Sequence, residues 1–375
     1  MKIGIVCYPT YGGSGIIATE LGMMLAKKGH QIHFISYSLP ARLDITLPNI
    51  VFHQVNVKTY PLFESYQPYS LALSTLMVEI IRNHRLDVLH VHYAIPHAYA
   101  AYFAKQILKE ENIDIKVITT LHGTDITLVG QNPVYKSAVE FSINQSDAVT
   151  TVSQSLKDDT LEVFDIKKEI QVIPNFIDNN LFVHKEGPCP RNNFALPEDK
   201  ILIHVSNIRK VKRIQDVISV FDKVQKEVPA KLLIVGEGPE AENLQQQVRD
   251  LHLEDKVKFM GKINQLHSIL CVSDVFLLPS QEESFGLAAL EAMAASVPVV
   301  SSNAGGITEV NLDGETGFVS NVGDVEKMAS DVLSLLKDPE KLAQFKINAQ
   351  KRALEFDKSK VIPLYEELYQ SVIEK

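Results

Sequence analysis

Short apolar runs, each closed by a glycine-containing or polar turn and most followed by a helix-spaced stretch, recur along the whole chain. This alternation constrains the fold more than any single motif. The runs at 2–7, 31–36, 87–93, 116–121, 147–152 and 170–173 are apolar on both faces and read as buried strands. Helical spacing intervenes at 16–28, 71–84 and 98–110. After a stretch at 181–199 with Gly187, Pro188, Pro190 and Pro197 and no periodicity, the pattern restarts at 200–206, 230–235, 257–261, 274–279 and 297–300, with a helix at 216–228. Parallel strands need a crossover between them, and a helix supplies it. The expected fold class is therefore α/β, with two doubly wound Rossmann-like sheets. The expected boundaries are a first domain at 1–180, a linker at 181–199, a second domain at 200–355 and a terminal helix at 356–375, kinked at Pro363.

A length of 375 residues suffices for two cores of ordinary size. The net charge of −9 opposes a nucleic-acid or anionic-membrane partner, so a phosphate ligand has to be held by local donors. The three cysteines, Cys7, Cys189 and Cys271, form no C-x-x-C and no even framework, which fits a reducing cytoplasm and speaks against structural zinc. Met1 to Val6 reads as a strand rather than a signal peptide, and no apolar run reaches membrane-spanning length. Oligomeric state stays open; a homo-oligomer is compatible with the sequence.

Ligands of doubly wound sheets bind beyond the carboxyl ends of the strands. Tyr8-Pro9-Thr10-Tyr11-Gly12-Gly13-Ser14-Gly15 joins the first strand to the first helix, a phosphate-binding arrangement. A nicotinamide-type dinucleotide loop is the rival reading. The glycines, however, do not follow G-x-G-x-x-G, and the second strand ends in Ser36-Tyr37-Ser38 with no acid for a ribose. His90, His92, His97 and His122 invite a metal reading, yet no third ligand stands at a metal-site spacing, so most read as packed or hydrogen-bonded residues and no metal is assigned. In the second half, Arg209, Lys210, Lys212 and Arg213 form a basic loop after a strand, where cations could meet a leaving diphosphate.

The richest stretch is Pro279-Ser280-Gln281-Glu282-Glu283-Ser284-Phe285-Gly286-Leu287 followed by Glu291. With a helix opening near Ser284, the N–H groups of Ser284, Phe285, Gly286 and Leu287 are unpaired within it, and Glu283 and Glu291 lie about two turns apart and can face one cleft. Carboxylates suit sugar hydroxyls, and a helix N-terminus suits phosphate. In isolation, Glu283 would be a capping acid and Glu291 a solvated helix residue. The strand before them and Asn303-Ala304-Gly305-Gly306-Ile307-Thr308-Glu309 after them favour a site.

These motifs in this order resemble the retaining glycosyltransferases of family 4, whose E-x7-E follows a Pro-Ser and carries Phe-Gly after its first Glu. The resemblance covers essentially the whole chain. It implies the GT-B architecture, two Rossmann-like domains facing across a cleft, with the last helix crossing back to the first. It implies donor binding by Gly12, Gly13, Arg209, Lys212, Arg213, Glu283, Ser284, Phe285, Gly286, Leu287 and Glu291, and catalytic roles for His122, Glu283, Arg209 and Lys212. The family spaces an Arg and a Lys five apart in the basic loop; this chain departs from that, so Arg209 and Lys212 are chosen and Arg213 is the alternative. Within the family the likeness is to enzymes that pass N-acetylglucosamine from UDP-N-acetylglucosamine to L-malate at the start of bacillithiol biosynthesis. That likeness rests on Cys7 to Gly22, His90 to Ala98 and Ser206 to Arg213, and nothing in composition or period points to malate. Acceptor binding is expected at Ser14, Tyr93 and Thr120 in the first domain. No cofactor or metal is expected. Another family 4 enzyme with a sugar or inositol-phosphate acceptor, a non-catalytic sugar-nucleotide binder and an oxidoreductase are the alternatives.

Overall fold

In a computed structural model of the protein, every apolar run singled out above becomes a parallel strand. The structure describes residues 1–58, 68–182, 189, 191–263 and 265–375. It divides into two compact units, Met1–Asn175 with Ser359–Lys375, and Phe176–Lys358.

The first unit holds β1 (Lys2–Val6), β2 (Gln31–Ser36), β3 (Ile50–Gln54), β4 (Val88–His92), β5 (Lys116–Leu121), β6 (Ala148–Thr151) and β7 (Ile170–Val172). They form one seven-stranded sheet in the order β3-β2-β1-β4-β5-β6-β7. The second unit holds β8 (Lys200–Val205), β9 (Ala230–Val235), β10 (Val257–Gly261), β11 (Val275–Leu278), β12 (Val299–Ser302) and β13 (Gly317–Ser320), in the order β10-β9-β8-β11-β12-β13. All the pairings are parallel. Both sheets start at a central strand, run to one edge, and return to the other side of it. The direction of winding therefore reverses between β1 and β4, and between β8 and β11.

Helices cover the sheets with apolar stripes. The helix Ile214–Val224 buries Ile214, Val217, Ile218, Phe221 and Val224, a three-and-four spacing that keeps them on one face. Each fully buried side chain of this size contributes on the order of 1.5–3 kcal/mol. The helical tail is three separate helices, Val325–Leu336, Pro339–Ala353 and Lys358–Ile373. The last one, with Pro363 inside it, joins the first unit. It buries Val361, Ile362, Tyr365, Leu368, Tyr369 and Val372. His90 Nδ1 is 2.8 Å from the Tyr369 hydroxyl, and Glu366 meets both Lys28 and His30.

The units divide a few residues from the expected boundaries. The N–H of Ile177 donates to Phe356 O (3.1 Å) and that of Lys358 to Ile177 O (2.9 Å), so the residues after Asn175 pair with the second unit. Asn179 Nδ2 donates to Asp357 Oδ2 at 2.9 Å and closes the same junction. Of the expected linker, 183–188 and 190 lie outside the described residues. Cys189 is not the isolated thiol expected from the sequence. It is disulfide-bonded to Cys271 with Cα atoms 6.1 Å apart, a pairing across 82 residues that no local spacing announces. Only Cys7 is free, and burial pushes its thiol up to about 12. Among the described residues no helix is long and apolar enough to cross a membrane.

Candidate active site

In the second unit, the two loops at the winding reversal are sewn together. The loop after β8 carries the basic residues and the loop after β11 carries Glu283. The N–H of Gln281 donates to Val211 O at 2.8 Å. Lys212 Nζ donates to Glu283 Oε2 at 2.6 Å, with both side chains largely shielded. Ser280 adds its hydroxyl at 3.4 Å to the same carboxylate oxygen. The Gly305-Gly306 turn after β12 closes on this segment, Gly306 N–H donating to Glu283 O at 2.8 Å. Beneath the pair lies His204, fully buried, its Nδ1 2.8 Å from Leu277 O and its Nε2 2.7 Å from the Ser206 hydroxyl. Burial, above all, holds His204 down to about 4, so a neutral ring underlies the charged pair.

The expected helix start is corrected. The helix runs Leu287–Ala294 with Gly286 as its cap, so Ser284 and Phe285 precede it. Glu283 is therefore a loop residue, and the two-turn spacing to Glu291 does not describe how the pair is held. The donors at the helix start begin at Leu287. Phe285 is buried against the Phe356 ring, 5.6 Å between centroids. Gly286 has φ +93, and a Cβ there would lie 2.4 Å from the buried Ile307 Cδ1. The glycine is needed for the chain's own turn as much as for a ligand's approach. Glu291 is buried on the helix at 8% exposure, not a solvated residue.

The three basic candidates separate by partner. Lys212 is held by Glu283 and Arg213 by Asp216 at 2.6 Å, with Arg213 in the left-handed region at φ +49. Arg209 is exposed and, among the described residues, makes no ion pair.

In the first unit, Gly12 caps the helix Gly13–Lys27 with no acid in its first turn, leaving Gly13 and Ser14 at an uncompensated N-terminus. The Ser14 hydroxyl lies 2.8 Å from the Tyr93 hydroxyl, which joins the loop after β1 to the loop after β4 at the winding reversal. Tyr93 has φ +83, and its ring lies 5.3 Å from that of His122. His122 is buried, and its Nε2 is 2.8 Å from His92 Nδ1. Burial, and then His97, hold His122 down to about 3, so the ring is neutral and Nδ1 is the atom left to meet a ligand. His90, His92 and His97 are fully buried, as the packed reading of these histidines expected. Thr120 is placed differently from the expectation. It is fully buried, its hydroxyl 2.7 Å from His90 Nε2 and 2.6 Å from the Thr150 hydroxyl, while its carbonyl accepts the Tyr93 N–H at 2.9 Å. Thr120 thus supports Tyr93, and its hydroxyl is spent inside the core.

Asp125 was not singled out from the sequence. It is 1% exposed and accepts from Ala94 N (3.1 Å), His122 N (3.3 Å) and Gly123 N (3.0 Å), tying the β4 and β5 loops together. Burial pushes its carboxyl up to about 6 against these donors. The signal was present in His122-Gly123-Thr124-Asp125, where an acid follows a glycine turn.

Two family models match the chain, "Glycosyltransferase Family 4" over residues 11–181 and "Glycosyl transferases group 1" over residues 190–352. The chain is 47% identical over 375 residues to the N-acetyl-alpha-D-glucosaminyl L-malate synthase of Bacillus anthracis, covering 100% of this chain and 97% of that one. The chain belongs to glycosyltransferase family 4. The glycosyltransferase also shares its fold with solved structures. The HepE protein of Anabaena in complex with UDP and glucose superposes with a TM-score of 0.83 at 20% identity, over 99% of this chain and 100% of that one. The sucrose-phosphate synthase of Thermosynechococcus elongatus does so with a TM-score of 0.83 at 20% identity, over 100% and 99%. These glycosyltransferase folds place the two Rossmann-like units in the GT-B class.

Proposed function

We propose that this glycosyltransferase moves N-acetylglucosamine from UDP-N-acetylglucosamine to the hydroxyl of L-malate, retaining the anomeric configuration and giving N-acetyl-alpha-D-glucosaminyl L-malate. The observation that carries the reading is the 47% identity, end to end, with the N-acetyl-alpha-D-glucosaminyl L-malate synthase of Bacillus anthracis. The residues support it chemically. In the second unit Glu291 takes the nucleotide ribose and Glu283 the hexose hydroxyls, with Lys212 fixing the Glu283 carboxylate. Arg209, Lys212 and the N–H groups from Leu287 onward neutralise the diphosphate as the glycosidic bond breaks. Arg213, braced by Asp216, shapes the loop. In the first unit Gly12, Gly13 and His122 are assigned to the donor, and the Ser14 and Tyr93 hydroxyls to the acceptor's carboxylates. The acceptor hydroxyl forms the new bond at the anomeric carbon, and the departing phosphate takes its proton. No metal takes part, because donors and cations already stand where one would be needed. A cytoplasmic place of action belongs to the same reading.

The test is transfer from UDP-N-acetylglucosamine to L-malate, D-malate, inositol phosphate and simple hexoses. Preference for L-malate is expected, since donors built for two carboxylates are left unpaired by a neutral sugar. Equal or better turnover of inositol phosphate would reassign the acceptor, and turnover of a hexose alone would leave only the family.

A further inference from the structure

On the β2–β3 side of the first sheet, three histidines converge from three elements. His33 comes from β2, His53 from the edge strand β3, and His84 ends the helix Tyr69–His84. Their ligand nitrogens all lie within 4.8 Å of one another. His33 Nδ1 and His53 Nε2 are 2.9 Å apart. Val51 is the register partner of His33, so His53 is two residues on and shares its sheet face. The His33 ring lies 4.4 Å from that of His84 and 5.2 Å from that of His53, between centroids.

We propose that His33, His53 and His84 form a binding site for one late first-row divalent cation, with zinc(II) as the type, held by three neutral imidazoles and a water. Imidazole without carboxylate suits zinc, nickel or copper and not magnesium or calcium, which require oxygen. A zinc–nitrogen bond of about 2.0–2.1 Å puts tetrahedral ligands roughly 3.4 Å apart, so the His33–His53 pair at 2.9 Å has to open slightly and any wider separation, none above 4.8 Å, has to close. The Lys2 ammonium, a charge that opposes a cation, is engaged at His84 O at 3.0 Å. The hydrogen between His33 Nδ1 and His53 Nε2 moves to the other nitrogen of its own ring when the ion binds, so that all three imidazoles remain neutral.

The site is structural. His33 is in register with Gly4, and Lys2 reaches the end of the helix at His84. His33 lies in mid-strand and His53 near the end of β3, and neither they nor His84 belong to the loops that carry Ser14, Tyr93 and His122. The ion would fasten the edge strand β3 and the following helix to β2. Sequence inspection did not reveal this cluster, because the residues are separated by 20 and 31 positions and match no metal-binding spacing.

The experiment uses the full chain, stripped with chelator and then given zinc(II) or cobalt(II) alone. One equivalent should bind. Zinc at a hundredfold excess over Kd should raise Tm by about 5 °C. Cobalt should show the intense visible absorption of a tetrahedral site. His53→Gln and His84→Gln, both chosen over the deeply buried His33, should each weaken zinc by about a hundredfold and abolish the cobalt spectrum, while His267→Gln should change neither. Absence of a one-equivalent cobalt spectrum in the wild-type chain, or its survival in the His53→Gln/His84→Gln double variant, would overturn the site. Transferase activity is not the readout, so its loss or retention bears on the proposed function alone.

Discussion

Lys212 Nζ stands 2.6 Å from Glu283 Oε2, a bond between the loop after β8 and the loop after β11. The two side chains therefore fix each other's position, so that in the proposed function a sugar hydroxyl would meet a carboxylate already oriented.

Replacing Glu283 by Gln keeps the shape but removes the charge that orients Lys212. Transfer should slow by roughly 10²-fold or more, the scale of a lost charged contact at a reacting centre. Glu291→Gln, on the buried face of the Leu287–Ala294 helix, should instead weaken nucleotide binding. Steady-state kinetics and nucleotide titration distinguish the two; wild-type constants in both variants would remove the assignment.

Gly286→Ala tests the turn that sets this helix. The change places a side chain at φ +93 and a Cβ 2.4 Å from Ile307 Cδ1. Backbone strain costs on the order of 1–3 kcal/mol, and the clash displaces Ile307. Gly314 has φ +72 with nothing within 4 Å of its Cβ position, so Gly314→Ala carries the strain alone. Chemical denaturation should show Gly286→Ala as the more damaging, with activity reduced only there. Equal losses would mean that Ile307 gives way freely.

The strands and the order of motifs were legible because a buried parallel strand is apolar on both faces and each one here is followed by a turn. The edge strand β3 escaped because Val51, His53 and Gln54 are partly or fully open to solvent. The helix expected at Ser284 begins at Leu287 because Gly286 takes a left-handed turn that a local reading of Ser-Phe-Gly does not anticipate. Glu283 with Lys212, Asp125 across two loops, Cys189 with Cys271, and the cluster of His33, His53 and His84 are long-range pairings. Residue types hint at such pairings, but only the folded chain brings them together.

Stability should fall on mild acidification. His90 and His122 are held down to about 3 and His97 and His204 to about 4, chiefly by burial. In the unfolded chain these imidazoles titrate near ~6.5. Between those values the unfolded state binds more protons, so the stabilisation is complete above about pH 6.5 and is lost toward pH 3–4, at up to about 1.4 kcal/mol per pH unit for each group. Asp125, raised to about 6, acts in the opposite sense as a single group. Tm measured from pH 8 to pH 5 should drop below pH 6.5; a flat profile would contradict the buried neutral histidines.

Transfer should continue in EDTA. In the proposed function Arg209, Lys212 and the helix start at Leu287 would supply the charge stabilisation a metal would give. An ion at His33, His53 and His84 could be lost to the chelator with a lower Tm and an unchanged rate well below it. Abolished transfer restored by magnesium would show instead that the diphosphate needs a metal.

Asp125 should prove a positioning residue. Its carboxylate holds the N–H groups of Ala94, His122 and Gly123, so Asp125→Ala frees the loops bearing Tyr93 and His122 together and leaves three buried donors without their acceptor, at about 1–3 kcal/mol each if unsatisfied. Asp125→Asn retains an acceptor oxygen and removes the penalty of a buried charge, so stability should recover above that of Asp125→Ala. The functional loss should appear first in KM for the acceptor, because Ser14 Oγ and the Tyr93 hydroxyl, 2.8 Å apart, must stay aligned to receive it. Nucleotide affinity, set by Glu291 in the second unit, should be unchanged. Measuring acceptor KM and nucleotide Kd in the Asn variant separates the two; a fall in nucleotide affinity with an unchanged acceptor KM would show that Asp125 does not act through the Tyr93 loop.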